Sequence, residues 1–230
     1  MTDAAHLPSP RARVRRRPDR ARYDAASLYA VLDSAVLAHV GYVEDGQPFV
    51  TPTTFWREGR RIHLHGAAAS RMLQTVTAGV PVCLTVSHLD GLVLGRSGIV
   101  HSVCYRSAMV FGTARRIEGE TEKRRAMDAF LERLYPGRTR ELRPSSEAEL
   151  AQIVLAEMDI EDASVKLRDG GPKDHPPDEG WPAWCGVIPI AQRIGEPTGE
   201  PGLRLAPYAA GARFDEALAA AAQSGLPVST

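Results

Sequence analysis

The run Leu64-His65-Gly66-Ala67-Ala68-Ala69-Ser70-Arg71-Met72-Leu73 brings more chemistry together than any other stretch of the chain. A strand-like segment ends in glycine, three small residues follow, and a hydroxyl and a guanidinium then stand in the first turn of an expected helix. That order suits a phosphate. Free backbone N–H groups and the positive end of the helix dipole face the anion, and arginine closes on it through two parallel hydrogen bonds. The same residues serve equally well as an exposed Ser-Arg helix start, and spacing alone does not separate the two. His63 and His65 lie two apart on the preceding strand and so share a face, as metal ligands in a barrel would. No third ligand accompanies them, so no metal site is expected. His65 is read as a pocket residue and His63 as a partly exposed one.

A second polar cluster, His101-Ser102-Val103-Cys104-Tyr105-Arg106-Ser107, interrupts the apolar alternation between two expected strands. Histidine exchanges a proton near neutral pH and arginine favours a developing negative charge, which suits a reaction site; a polar loop or a subunit contact is the other reading. Trp184 is either an aromatic wall over a cleft or a core residue beside a strand. Several standard sites are missing from the sequence. No G-x-G-x-x-G follows a strand, there is no phosphate-binding loop and no H-E-x-x-H, and Ser97 lacks the spacing of a nucleophile elbow. Cys83, Cys104 and Cys185 are widely spaced and read as buried small apolar residues.

The elements that must position these groups follow from period and punctuation. Asp24 caps a short helix carrying Leu28, Val31, Leu32 and Ala35. The segments 36–43, 48–55 and 61–66 are short strands joined by tight glycine-containing turns, a meander. Residues 67–78 return to helical spacing. Strands are expected at 82–88, 92–100 and 107–117, and an amphipathic helix at 120–135. Ser146 and Glu149 have capping-box spacing for a helix carrying Leu150, Ile153 and Val154, followed by a strand with Ile160, Val165 and Leu167. A proline-rich loop at 170–182 leads to a last strand at 184–190, and a weak alanine helix is expected near 213–223. Tight turns between consecutive strands cannot join parallel neighbours. The fold class is therefore mainly β with α, a small antiparallel barrel of about six to eight strands with peripheral helices.

The chain has 230 residues, of which 43% are hydrophobic, enough for a substantial core. Basic and acidic residues balance at 28 each, so charge points to neither a nucleic-acid nor a membrane partner. No apolar run approaches the roughly 20 residues of a membrane-spanning helix, and the N-terminus is polar, so a cytoplasmic location is expected. The chain divides into a basic arm at 1–22, a barrel domain at 23–192 and a tail at 193–230.

Six segments in order carry a family resemblance: Pro18-Asp19-Arg20-Ala21-Arg22-Tyr23-Asp24, Gly46-Gln47-Pro48-Phe49-Val50, Leu64-His65-Gly66 with Ala69-Ser70-Arg71-Met72-Leu73, Asp90-Gly91-Leu92-Val93-Leu94, His101-Ser102 with Tyr105-Arg106-Ser107, and Trp184-Cys185-Gly186-Val187-Ile188-Pro189. Over about residues 14–191 the chain resembles the pyridoxamine 5'-phosphate oxidase-related flavoproteins, in particular the branch that includes nitroimidazole-resistance-type proteins. The resemblance implies a split β-barrel, a homodimer, and FMN bound in clefts between the subunits. It places Ser70 and Arg71 on the FMN phosphate, Thr51 and Thr53 along the flavin ring and ribityl chain, and His65 and Gly66 beside the ring. In such a barrel His101 and Arg106 are candidate catalytic groups, and Tyr105 and Trp184 candidate cofactor contacts. Met72 stands where the vitamin-metabolising oxidases have lysine, and their arginine-rich C-terminal signature is not recognisable. The implied function is an FMN-dependent oxidoreductase passing electrons from a reduced nicotinamide or other donor to a small organic acceptor. The alternatives are a non-catalytic flavin-, haem- or pyridoxal-phosphate-binding protein, or a deazaflavin-dependent reductase.

Overall fold

The structure, a computed structural model, describes residues 8–193 together with Thr198 and Gly199. In chain order its elements are β1 (Ala21–Arg22), α1 (Ala25–Asp33), β2 (Leu37–Glu44), β3 (Gln47–Glu58), β4 (Arg61–Ala67), α2 (Arg71–Thr77), β5 (Pro81–Leu94), β6 (Ser102–Arg116), α3 (Glu120–Leu134), α4 (Glu147–Ala151), β7 (Ile153–Asp159), β8 (Asp162–Arg168) and β9 (Gly186–Pro189). Local chemistry sets several boundaries. The Asp24 carboxylate accepts the Ser27 N–H at 2.8 Å and starts α1, and Ser146 with Glu149 forms a full capping box on α4. Asp45 and Gly46 both have positive φ, 50° and 78°, the twist a two-residue hairpin needs, so β2 and β3 pair directly from Glu44↔Gln47 to Leu37↔Thr54.

β6, β7, β4, β3, β2 and β5 pair in a closed antiparallel ring, with β8 attached to β6, β1 to β8, and β9 to β5. The strand β6 makes this possible by changing partners along its length. Its residues Tyr105–Phe111 lie between β5 and β8, whereas Ala114–Arg116 pair with β7. Gly112 stands at the crossover. A Cβ there would lie 2.5 Å from the Asp159 carbonyl oxygen and 2.7 Å from Met158 Cγ, so only glycine lets β6 pass so close to the end of β7. The result is a split β-barrel. Val40, Leu64, Leu84, Val110 and Met158 fill its interior, and Leu73 and Val76 of α2 join the same core. A second, smaller core of Trp56, Ala126, Phe130 and Leu155 lies outside the barrel, between the sheet and α3.

Several expectations need correction. The expected strand at 92–100 is the end of one long β5, which continues through a bulge at Asp90 and stops at Leu94. The polar segment 101–107 is the beginning of β6 and not a loop between strands. The helix after Ser146 ends at Ala151, because Ile153 and Val154 are drawn into β7 by pairing with Ala67 and Gly66 of β4. The single strand expected around Ile160 is the β7–β8 hairpin, with Ile160 in its turn. Of the cysteines, only Cys104 is buried; Cys83 and Cys185 are partly exposed, and all three are free. The described part of the arginine-rich segment lies on the barrel: Ala12 is buried, Arg11 pairs with Glu161 at 2.9 Å, and β1 adds to the edge of β8. The alanine helix expected near 213–223 lies outside the described residues. Among the described residues no helix is long and apolar enough to cross a membrane.

Candidate functional site

The Ser70–Arg71 corner forms where β4 leaves the barrel and turns into α2. The Ser70 hydroxyl caps α2 by accepting the Leu73 N–H at 3.4 Å. Gly66 precedes it at a close approach to α2, where a Cβ would meet Leu73 Cδ1 at 3.0 Å. Arg71 points outward with 61% of its side chain exposed, and its guanidinium carbon lies 4.1 Å from the centroid of the Phe49 ring. Its Nε is 3.8 Å from Glu44 Oε2, a carboxylate that also accepts the Thr75 hydroxyl at 2.5 Å. The guanidinium is thus steered by a ring face and a carboxylate while its outer N–H groups stay open.

Phe49 belongs to the half of β3 that gives this corner its floor. Residues 47–54 of β3 pair only with β2, and β4 joins the other edge of the strand from Phe55 onward. The free edge carries Thr51 and Thr53, both half-buried, on the same face as Phe49. A strip of unpaired backbone, two hydroxyls, an aromatic ring and a partly free arginine therefore adjoin one another.

The other predicted residues lie elsewhere. His65 points to the opposite face of β4, outside the barrel, where its ring centroid is 4.4 Å from that of Phe130 and 6.0 Å from that of Trp56. His63 shares that face and, against expectation, is 1% exposed, stacked on Trp56 at 5.1 Å. Burial lowers the pKa of both histidines, leaving neutral imidazoles at neutral pH. His63 Nε2 is 3.2 Å from Glu58 Oε2 without forming a hydrogen bond. A cleft of about 560 Å³ opens beside it, lined by Glu58, Arg60, Arg61, Arg125, Asp159 and Ile160 as well as His63 itself.

Arg106 is buried at 4% exposure and bound bidentately to Asp90, at 3.0 and 2.9 Å. It faces inward from β6 and its charge is neutralised there, so the open cation expected at this position is corrected to a buried ion pair. Tyr105, on the other face of β6, stands opposite Leu89 and Arg168. His101 is exposed, with Nδ1 3.0 Å from the Ser97 carbonyl oxygen, and Trp184 is 64% exposed. Among the described residues no hydrogen bond or ring contact joins His101, Tyr105, Arg106 or Trp184 to the Ser70–Arg71 corner. Sequence reasoning missed Phe49, Glu44 and Asp90. The nearest signal for Asp90 was an acid amid the apolar residues of β5, which in a core requires a cationic partner.

The comparisons with known proteins agree with this architecture. The family model described as pyridoxamine 5'-phosphate oxidase matches residues 24–167. The flavocytochrome Anf3 from Azotobacter vinelandii is 41% identical, over 86% of this chain and 92% of its own, with a TM-score of 0.81. The FAD and haem binding protein from Mycobacterium smegmatis is 36% identical, over 82% of this chain and 94% of its own, with a TM-score of 0.78. A candidate 5-nitroimidazole antibiotic resistance protein from Bacteroides thetaiotaomicron shares the fold at 24% identity and a TM-score of 0.53, over 64% of this chain and 86% of its own. No curated protein matches. With most of the barrel inside the matched region and two relatives above one-third identity over nearly their whole length, the chain belongs to the pyridoxamine 5'-phosphate oxidase family of split-barrel proteins.

Proposed function

We propose that the chain is a flavin-binding redox protein that also carries haem, an oxidoreductase moving electrons from a reduced nicotinamide or similar donor to a small acceptor. The observation that carries this reading is the similarity, over more than four-fifths of the chain, to two proteins named for a flavin and a haem. The M. smegmatis relative is named for FAD, so FAD is the flavin we favour; FMN, which the motif resemblance implies, is the alternative. When bound, a flavin accepts a hydride and releases electrons singly, and a haem iron carries them one at a time.

In this reading the chain's own residues bind and orient. Arg71 and Ser70 take the phosphate, the free edge of β3 offers backbone hydrogen bonds to the flavin, and Thr51 and Thr53 lie along it. Asp90 and Arg106 join β5 to β6 through a buried ion pair away from this corner. A second copy completes it. Leu37, Val43, Val50 and Met109 are exposed on one outer face shared by β2, β3 and β6, an apolar surface suited to a symmetric partner. Three free cysteines accord with a reducing, cytoplasmic setting.

The test is the spectrum of the purified protein followed by chromatography of the released cofactors. Flavin absorbance together with a Soret band supports the proposal, and the chromatogram distinguishes FAD from FMN. A preparation that takes up neither flavin nor haem when supplied with both overturns it.

A further inference from the structure

The outer face of β4 carries an anomaly that packing does not explain. Of the six buried side-chain polar atoms without a hydrogen-bond partner among the described residues, four belong to this patch: Trp56 Nε1, both ring nitrogens of His63, and His65 Nδ1. Folded proteins rarely leave such atoms unpaired, because each costs about 1–3 kcal/mol, so a cluster of them indicates a group that binds there. The surroundings define its chemistry. Trp56 and Phe130 supply aromatic surface, with Met127, Leu134 and Ile153 packed against them. Two residues back along β4, roughly 7 Å away, the surface becomes charged, and Arg60, Arg61 and Arg125 line the cleft beside His63 together with Glu58, which pairs with Arg125, and Asp159, which pairs with Arg61. An apolar floor, an imidazole and an end where three arginines outnumber two carboxylates match a flat apolar macrocycle with a ligand-seeking iron and an anionic edge.

Of the described histidines, only His65 meets both requirements of an axial ligand, an approachable ring and apolar surroundings. His39, His101 and His175 are exposed. His88 is tied to the Ser34 hydroxyl at 3.1 Å. His63 is enclosed, flush against Trp56 and faced by Glu58. His65 is only partly buried and makes no hydrogen bond to the described residues, and its ring is held by Phe130 and Trp56. Building on the flavin and haem reading above, on which it rests, we propose that haem binds on this face with His65 as the axial ligand to iron and the arginines of the His63 cleft receiving the propionates.

The experiment titrates cofactor-depleted full-length protein with haemin and follows the Soret band, for the wild type, His65→Ala and His101→Ala. Wild type takes up haemin saturably. His65→Ala binds it weaker by about tenfold or more with a displaced Soret band, and added imidazole restores the band position. The same variant keeps wild-type flavin content, which shows that it folds, and His101→Ala retains the wild-type spectrum. If His65→Ala does not fold, His65→Met, which keeps the volume and offers a thioether, must shift the Soret band instead. A wild-type Soret band and affinity in either folded His65 variant overturns the ligand assignment while leaving haem binding intact. Failure of the wild type to take up haemin overturns the haem reading and this inference together.

Discussion

Removing the Arg106 guanidinium tests whether that residue supports the barrel or acts on a substrate. Its Nε and Nη2 bind the two Asp90 oxygens at 3.0 and 2.9 Å, with both side chains at most 5% exposed. Arg106→Ala takes the bidentate partner from a carboxylate held inside the bulge of β5. Breaking one side of a buried ion pair costs about 3–5 kcal/mol, because the remaining charge has lost its counterion in a poorly solvated site. For a chain of this size each kcal/mol is about 2–4 °C in Tm, so the melting temperature falls by roughly 6–20 °C. The double variant Asp90→Asn/Arg106→Met removes both charges and recovers most of that loss, as expected when two apolar or neutral groups replace a buried pair. The assay is thermal and urea unfolding at fixed protein concentration and equal cofactor load, since ligand binding and association both shift apparent stability. A destabilisation below about 1 kcal/mol with strongly reduced flavin turnover would refute the structural role and return Arg106 to the reaction site.

Four further outcomes are expected. Arg71→Ala weakens flavin binding by about one to two orders of magnitude, the worth of one charge-assisted phosphate contact, measured by flavin fluorescence quenching. Gly112→Ala forces a Cβ within 2.5 Å of the Asp159 carbonyl oxygen and so loses soluble expression or melts far below wild type, whereas Gly98→Ala, which meets nothing within 4 Å, does not. Light scattering gives a dimer for the wild type and a monomer for Val50→Asp, which places a charge on the exposed apolar face. His88 is partly buried, and desolvation, with the Arg106 charge, holds its pKa below the ordinary 6.5; the Val31 carbonyl and Asp90 oppose this without reversing it. Its neutral form is the folded one, so its contribution is complete above pH 6.5 and is lost as the pH falls below that value, where the unfolded chain takes up the proton. The Tm therefore drops on acidification, and His88→Gln flattens that slope.

Much of the barrel was legible because its signals are local. The Asp45-Gly46 turn, the Asp24 and Ser146 caps and the Met127, Phe130, Leu134 stripe each act through a few neighbouring residues, and each gave an element close to its expected place. The misses share a different cause. Ile153 and Val154 continue the helical spacing from Leu150, yet seven register pairs between β4 and β7 draw them into a strand. The segment 101–107 looks like a loop because it is polar, but its polar side chains alternate: Arg106 faces an acid in the core, while Tyr105 and Ser107 look out. Partners far apart in sequence decide both cases, and spacing carries no record of them. The site follows the same division. Ser70 and Arg71 could be read from order alone, whereas Phe49 beneath the guanidinium becomes visible only when β3 and β4 are in place.

The same long-range pairing links the fold to the two proposed cofactor positions. Because β4 joins β3 only from Phe55 to Glu58, the first half of β3 keeps an open edge, and α2 brings Arg71 over it at Phe49. Because β6 leaves β8 after Phe111 and β5 after Thr113 to pair with β7, the chain continues into α3 on the outside of the barrel, where Phe130 covers His65. Alternate residues of β4 therefore serve different compartments: Leu64 and Gly66 face the core and α2, and His63 and His65 face α3. A one-residue shift in the β4 register would exchange these faces, burying the imidazoles in the barrel core and exposing Ile62 and Leu64. The strand thus separates the inner Ser70–Arg71 corner, the proposed flavin phosphate site, from the outer, imidazole-bearing face, the proposed haem site, while keeping them a few residues apart.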